Sequence, residues 1–192
     1  EKLITKTYHE LSSPIQIVSV GRLVWKKGFE YAISAIHILK TRGYSVRYSI
    51  IGSGIMEDQL LYAIRDLDLI NEVSLIGKVE HLRVFEILSE SDIYIQPSIQ
   101  EGFCNALLEA QGSGLLCICT DAEGLQENVI DGLTGWVVPK RNSIQLANAI
   151  ERIIKLKSEE RKVISQQAIS RVRTEFNLGR LLDEFEMFYS EA

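Results

Sequence analysis

The sequence predicts a doubly wound α/β domain, and three observations point to it. Short β-branched runs alternate with helical patterns from Pro14 onward. Several of those runs are apolar almost throughout, as strands covered on both faces must be. The alternation stops after Pro139 and leaves helical patterns alone.

The expected strands are Ile15 to Val20, Val46 to Ile51, Val73 to Ile76, Ile93 to Gln96, Leu116 to Thr120 and Gly135 to Val138, a parallel sheet of about six. Between them apolar residues recur at helical spacing: Ala32, Ile33, Ile36 and Leu39; Leu60, Leu61, Ile64 and Leu67; Leu82, Phe85 and Leu88; then Leu107, Leu108 and Gln111. Beyond Pro139, Ser143 to Lys157, Glu159 to Phe176 and Leu178 to Tyr189 read as three helices forming a C-terminal tail. Ser143 serves as an N-cap, and Asn177-Leu178-Gly179 marks the last break. Residues 1–14, polar and ending Ser12-Ser13-Pro14, read as a linker into the first strand.

Composition bounds the function. At 192 residues and 46% hydrophobic, one domain is expected, large enough to bury roughly 70% of the surface of its unfolded chain. A net charge of -5 argues against broad nucleic-acid or anionic-membrane binding, which needs a clustered excess of Lys and Arg. With 3 Pro, 13 Gly and 24% charged residues the chain is neither disordered nor collagenous in profile. Three cysteines, Cys104, Cys117 and Cys119, are too few for a disulfide framework and lack zinc spacing, so a reducing cytosol is expected. No apolar run approaches the ~20 residues of a membrane span, and the start Glu1-Lys2-Leu3-Ile4 lacks a signal-peptide layout. The chain does not begin with Met and reads as a fragment of something longer.

In doubly wound sheets ligands bind outside the carboxyl ends of the strands, so the loops after the strands are where chemistry is expected. The first, Gly21-Arg22-Leu23-Val24-Trp25-Lys26-Lys27-Gly28, sets Arg22 and Lys27 five residues apart at a turn. Together they can present a guanidinium and an ammonium to one polyphosphate, or they form a solvated basic turn. The second, Gly52-Ser53-Gly54, has Glu57 where a dinucleotide fingerprint needs its third Gly, and is a tight turn open to a ligand. The third is Gly77-Lys78-Val79, where Lys78 is either a ligand contact or a solvated lysine.

The fourth loop is the most informative: Pro97-Ser98-Ile99-Gln100-Glu101-Gly102-Phe103-Cys104-Asn105 leads into a helix carrying Glu109. Two carboxylates thereby flank a helix N-terminus whose free N–H groups favour anions. A phosphate at the amides of Asn105, Ala106 and Leu107 would have Glu101 on one side and Glu109 on the other as acceptors for hydroxyl groups, although an ordinary acidic first turn explains either glutamate alone. The fifth loop, Asp121 to Glu127, is short and polar, with Glu127 at a helix start as a dipole partner.

In order along the chain, Gly21-Arg22-Leu23 with Lys27-Gly28, Gly52-x-Gly54, Gly77-x-Val79, Ser91-Asp92-Ile93, Pro97-Ser98, Glu101-Gly102-Phe103 with Glu109-Ala110, Gly124 with Glu127, and Asp131-Gly132 with Gly135 resemble one family. It is the nucleotide-sugar-binding, Rossmann-like C-terminal half of GT-B glycosyltransferases, in the retaining group 1, or family 4, enzymes. The match runs from about Ile15 to Tyr189.

The resemblance implies catalytic roles for Arg22 and Lys27, which neutralise the donor diphosphate, and for Glu101, which faces the transferred sugar. It implies donor contacts from Gly21, Gly52, Lys78, Val79, Gly102, Phe103, Cys104, Asn105, Ala106, Leu107 and Glu109, the last holding the ribose hydroxyls. It implies a UDP-hexose donor such as UDP-glucose, no metal or other cofactor, and a saccharide or lipid-linked acceptor held by an N-terminal domain, against which residues 177–192 would pack. The setting it implies is bacterial polysaccharide or glycolipid synthesis in the cytoplasm, with peripheral attachment to the inner membrane through the full-length protein.

Departures from the family pattern are Cys104, where Gly or Pro is usual, Leu116, where Pro is usual, and the altered small residues near Gly112 to Gly114. The pair Asp66-Leu67-Asp68 formally fits the Asp-x-Asp motif of metal-dependent transferases but falls at a helix end away from the carboxyl edge. His9, His37 and His81 have no matching partners and receive no catalytic role, and Cys117 and Cys119 read as filler for the sheet. Two other readings stay open at this point: a non-catalytic module holding a nucleotide or phosphosugar, and a GT-B sugar-nucleotide epimerase.

Overall fold

A computed structural model describes residues 11–176. The expected helix 178–189 and most of the expected linker lie outside the described residues. The sheet has six parallel strands: β1 (Ile15–Val20), β2 (Val46–Ile51), β3 (Val73–Gly77), β4 (Ile93–Gln96), β5 (Leu116–Thr120) and β6 (Trp136–Val138). Their spatial order is β3-β2-β1-β4-β5-β6. The winding reverses between β1 and β4, so the carboxyl ends of those two strands border the crevice in which such folds place their ligands.

Seven α-helices are described: α1 (Phe29–Thr41), α2 (Glu57–Asp66), α3 (His81–Glu90), α4 (Asn105–Gly112), α5 (Leu125–Asn128), α6 (Ser143–Lys155) and α7 (Ser158–Glu175). Two core clusters divide them between the sheet faces. Ile15 and Ile17 of β1, with Leu116 and Ile118 of β5, pack under α1, α2 and α6 through Ile33, Ile36, Leu60 and Ile150. The alternate residues Val18 of β1 and Cys117 and Cys119 of β5 pack with Leu88 of α3 and Leu107 and Ala110 of α4. Period-two alternation into two apolar layers explains why β4 and β5 are buried along their whole length.

The two cysteines of β5 are 0% and 1% exposed, in agreement with a packing role. The N-cap of α6 differs from the expectation. Asn142 holds the non-helical backbone and its side chain accepts from the Gln145 amide at 3.0 Å, while Ser143 is already the first helical residue. The sixth strand begins one residue later than expected, with Gly135 making an isolated bridge to Asp131.

Candidate functional site

The loops after β1 and β4 are joined backbone to backbone. The carbonyl of Lys26 accepts from the amides of Ile99 at 2.7 Å and Gln100 at 3.2 Å. Gly28 makes this approach possible. It takes φ +64 between a short 3-10 turn (Trp25–Lys27) and α1, and a Cβ there would stand 2.2 Å from the Pro97 carbonyl oxygen. The loop after β5 closes on the same place, since a Cβ on Gly124 would stand 2.5 Å from the Gly102 carbonyl oxygen.

This zipping brings Lys27 to Glu101, residues 74 apart in sequence, with Nζ 2.5 Å from Oε2 and side chains only 12% and 13% exposed. The same carboxylate oxygen accepts from the Ser98 hydroxyl at 2.9 Å and from Gln96 Nε2 at 3.3 Å. A carboxylate so shielded requires partners, and here three donors converge on one of its oxygens. Arg22 lies nearby in sequence but exposed, and among the described residues no carboxylate pairs with it.

Helix α4 starts directly beyond this pair. Its N-cap residue is Cys104, and among the described residues no side-chain hydrogen bond caps it. The Cys104 side chain is buried within the core under α4 rather than open to the cleft. Burial pushes its thiol pKa up, with the amides of Leu107 and Ala106 acting in the opposite sense. The Cys104 backbone is held at both ends by Asn128, whose Oδ1 accepts its N–H and whose Nδ2 donates to its carbonyl, each at 3.2 Å. Asn105 is exposed, Ala106 partly exposed, and the Leu107 side chain fully buried, so Ala106 and Leu107 face the site through their backbone.

Glu109 sits one turn into α4, partly exposed, with Oε1 3.1 Å from His81 Nε2 at the first position of α3. The His81 ring meets the edge of Phe85 at 4.8 Å. Helices α3 and α4 lie on one face of the sheet, which lets His81 at the start of α3 reach Glu109 of α4. From the sequence His81 had no matching partner, and its contact with Glu109 corrects that expectation, whereas Gln96 and Asn128 were not singled out at all. A histidine four residues beyond a post-strand glycine was the available signal, but only the strand order shows that it meets Glu109.

Between the loops after β1, β2 and β3 lies a cavity of about 220 Å³ lined by Gly21, Arg22, Gly52, Lys78, Val79 and Val84, among others. It has an apolar floor and a cationic rim. A larger depression of about 460 Å³ lies beyond β6 but is lined by Asp121 and Asp131, which makes it unsuited to an anion. Gly102 and Phe103 are exposed ahead of α4, and the Phe103 ring packs on Phe176 at 5.5 Å.

Asp66 and Asp68 lie at the opposite, amino edge of the sheet. Asp68 follows the end of α2 and pairs with Lys40 near the end of α1. Among the described residues no group of three His, Cys, Asp or Glu side chains is arranged to hold a metal ion, and no helix is long and apolar enough to cross a membrane.

The profile of the family glycosyl transferases group 1 matches residues 4–171. This chain belongs to that family. It is 36% identical over 183 residues to an amylovoran biosynthesis glycosyltransferase, AmsK, of Erwinia amylovora, covering 92% of this chain and 45% of that protein. It is 26% identical over 189 residues to a capsular polysaccharide biosynthesis glycosyltransferase, CapM, of Staphylococcus aureus, covering 97% and 49%. Its fold matches that of an Anabaena protein, HepE, crystallised in complex with UDP, with a TM-score of 0.85 at 21% identity over 93% of this chain and 49% of that one. The chain therefore spans about half the length of these relatives.

Proposed function

We propose that this chain is the donor-binding part of a retaining hexosyltransferase, moving a hexose from a nucleotide sugar, with UDP-glucose the first choice, to a saccharide or lipid-linked acceptor in polysaccharide synthesis. The observation that supports it most is the Lys27–Glu101 pair set beside the N-terminus of α4 at the point where the sheet reverses. Complexes of a fold neighbour with UDP favour the uridine donor, and relatives named for amylovoran and capsule synthesis favour the polysaccharide setting.

In this reading the base enters the small cavity beside Val79, and Glu109 accepts the ribose hydroxyls after exchanging its contact with His81. The diphosphate lies between Arg22, Lys27 and the amides at the start of α4. Lys27 turns from Glu101 to phosphate, and Glu101 is released to face hydroxyls of the sugar. Breaking the anomeric C–O bond leaves the nucleoside diphosphate with an added charge. The two cations and the helix N-terminus stabilise that charge, so the scheme assigns the role to protein groups without a metal. The acceptor is bound by an N-terminal half, as the length of the relatives supports.

Calorimetric titration of the chain with UDP, GDP and ADP tests the reading. UDP is expected to bind with the highest affinity of the three. Absence of heat from all three at millimolar concentration would refute it.

A further inference from the structure

Strand β4 is buried throughout, yet it ends in an amide. Gln96, 1% exposed, shares a strand face with Tyr94, on the side of the sheet covered by α4. A buried amide costs free energy unless it is hydrogen-bonded, and both bonds donated by the Gln96 amide nitrogen lead toward Glu101. The Tyr94 hydroxyl donates to Gln96 Oε1 at 2.7 Å. Gln96 Nε2 donates to Ser98 Oγ at 2.9 Å and to Glu101 Oε2 at 3.3 Å. Ser98 Oγ donates onward to Glu101 Oε2 at 2.9 Å.

Chemistry fixes the direction of this chain. A carboxylate only accepts, so the amide nitrogen must face it and the amide oxygen must face the tyrosine. Ser98 is itself locked, fully buried and with its carbonyl accepting from the Thr120 hydroxyl. With Lys27, three donors meet at Glu101 Oε2, and among the described residues none reaches Oε1.

We propose that Gln96 is a positioning residue for Glu101. Acting directly and through Ser98, it holds Oε2 and leaves Oε1 as the acceptor for a hydroxyl of the donor sugar. When Lys27 turns to the diphosphate, Gln96 and Ser98 are the donors that remain on Oε2, so the carboxylate keeps its orientation as its cation departs. The inference rests on the nucleotide-sugar reading and adds the residue that aims the sugar-facing acid.

The test compares UDP and UDP-glucose binding to the wild-type chain, to Gln96→Met, to the double variant Tyr94→Phe/Gln96→Met, which leaves no orphaned hydroxyl, and to Ser98→Ala, which removes one donor with little change in packing. The expected result is UDP affinity within about twofold of wild type and an advantage of UDP-glucose over UDP reduced about fivefold, the loss of one well-placed hydrogen bond to a charged group. A purely structural role would lower both affinities together and leave their ratio unchanged. Wild-type ratios in all three variants would overturn the inference, as would a wild-type chain that binds UDP and UDP-glucose equally. A wild-type chain that binds neither ligand would overturn the nucleotide-sugar reading and this inference with it.

Discussion

Replacing Gly28 by alanine tests how the site is held together. The substitution has three consequences. Gly28 has φ +64, which costs an L-residue about 1–2 kcal/mol. The new Cβ would stand 2.2 Å from the Pro97 carbonyl oxygen, so the loops after β1 and β4 must separate by roughly 1 Å to reach ordinary contact. That movement breaks the bonds from Ile99 and Gln100 to the Lys26 carbonyl, worth about 1 kcal/mol each. The total is about 3–4 kcal/mol.

Gly43→Ala is the matched control, since Gly43 also has positive φ, +84, but a Cβ there meets nothing within 4 Å. It should cost only the backbone term of about 1–2 kcal/mol. In urea unfolding Gly28→Ala should therefore lie about 2 kcal/mol below Gly43→Ala. Its UDP affinity should fall at least tenfold, because Lys27 is no longer held at the mouth of the crevice. Equal unfolding free energies for the two variants would refute the claim that backbone contact between these loops builds the site.

Lys27→Ala should weaken UDP far more than uridine in calorimetry, by about tenfold or more, because the lost contact is to phosphate; equal losses would remove Lys27 from the diphosphate. Glu109→Ala should weaken uridine itself several-fold, and unaltered uridine affinity would take Glu109 out of the ribose site. Stability should fall at alkaline pH. Burial pushes the thiols of Cys104, Cys117 and Cys119 up, so above about pH 8.5 the unfolded chain loses protons that the native chain keeps. This stabilisation is fully present below that pH and declines by up to about 1.4 kcal/mol per thiol per pH unit above it. Urea midpoints that stay level from pH 8 to 10 would contradict the assignment.

Much of this was legible in the sequence because the signals are local. Strand apolarity, the 3.6-residue spacing of α1 and α2, and the glycines that end strands each act within a few residues. The loops bearing Arg22, Lys27, Glu101 and Glu109 could therefore be placed at the carboxyl edge before any topology was known. Strand order was not legible from hydrophobic pattern, because six apolar strands look alike to it. Hence the contact of Lys27 with Glu101 across 74 residues, and that of His81 with Glu109, emerged only from the fold. Gln96 escaped notice for a related reason: an amide at a strand end is unremarkable until its neighbours are known. Asn142 rather than Ser143 caps α6, because both residue types cap well and only the non-helical backbone at Asn142, with φ -125 and ψ 88, selects between them.

The central claim is that a nucleoside diphosphate binds at the crevice between β1 and β4. A UDP titration followed through the backbone amide signals of the chain tests it most directly. The account predicts shifts concentrated at Gly21 and Arg22, at Gly52, at Lys78 and Val79, and from Asn105 to Glu109, with Asp66 to Asp68 and α6 unmoved. Shifts centred on the amino edge of the sheet or on α6, or no shifts at millimolar UDP, would contradict it.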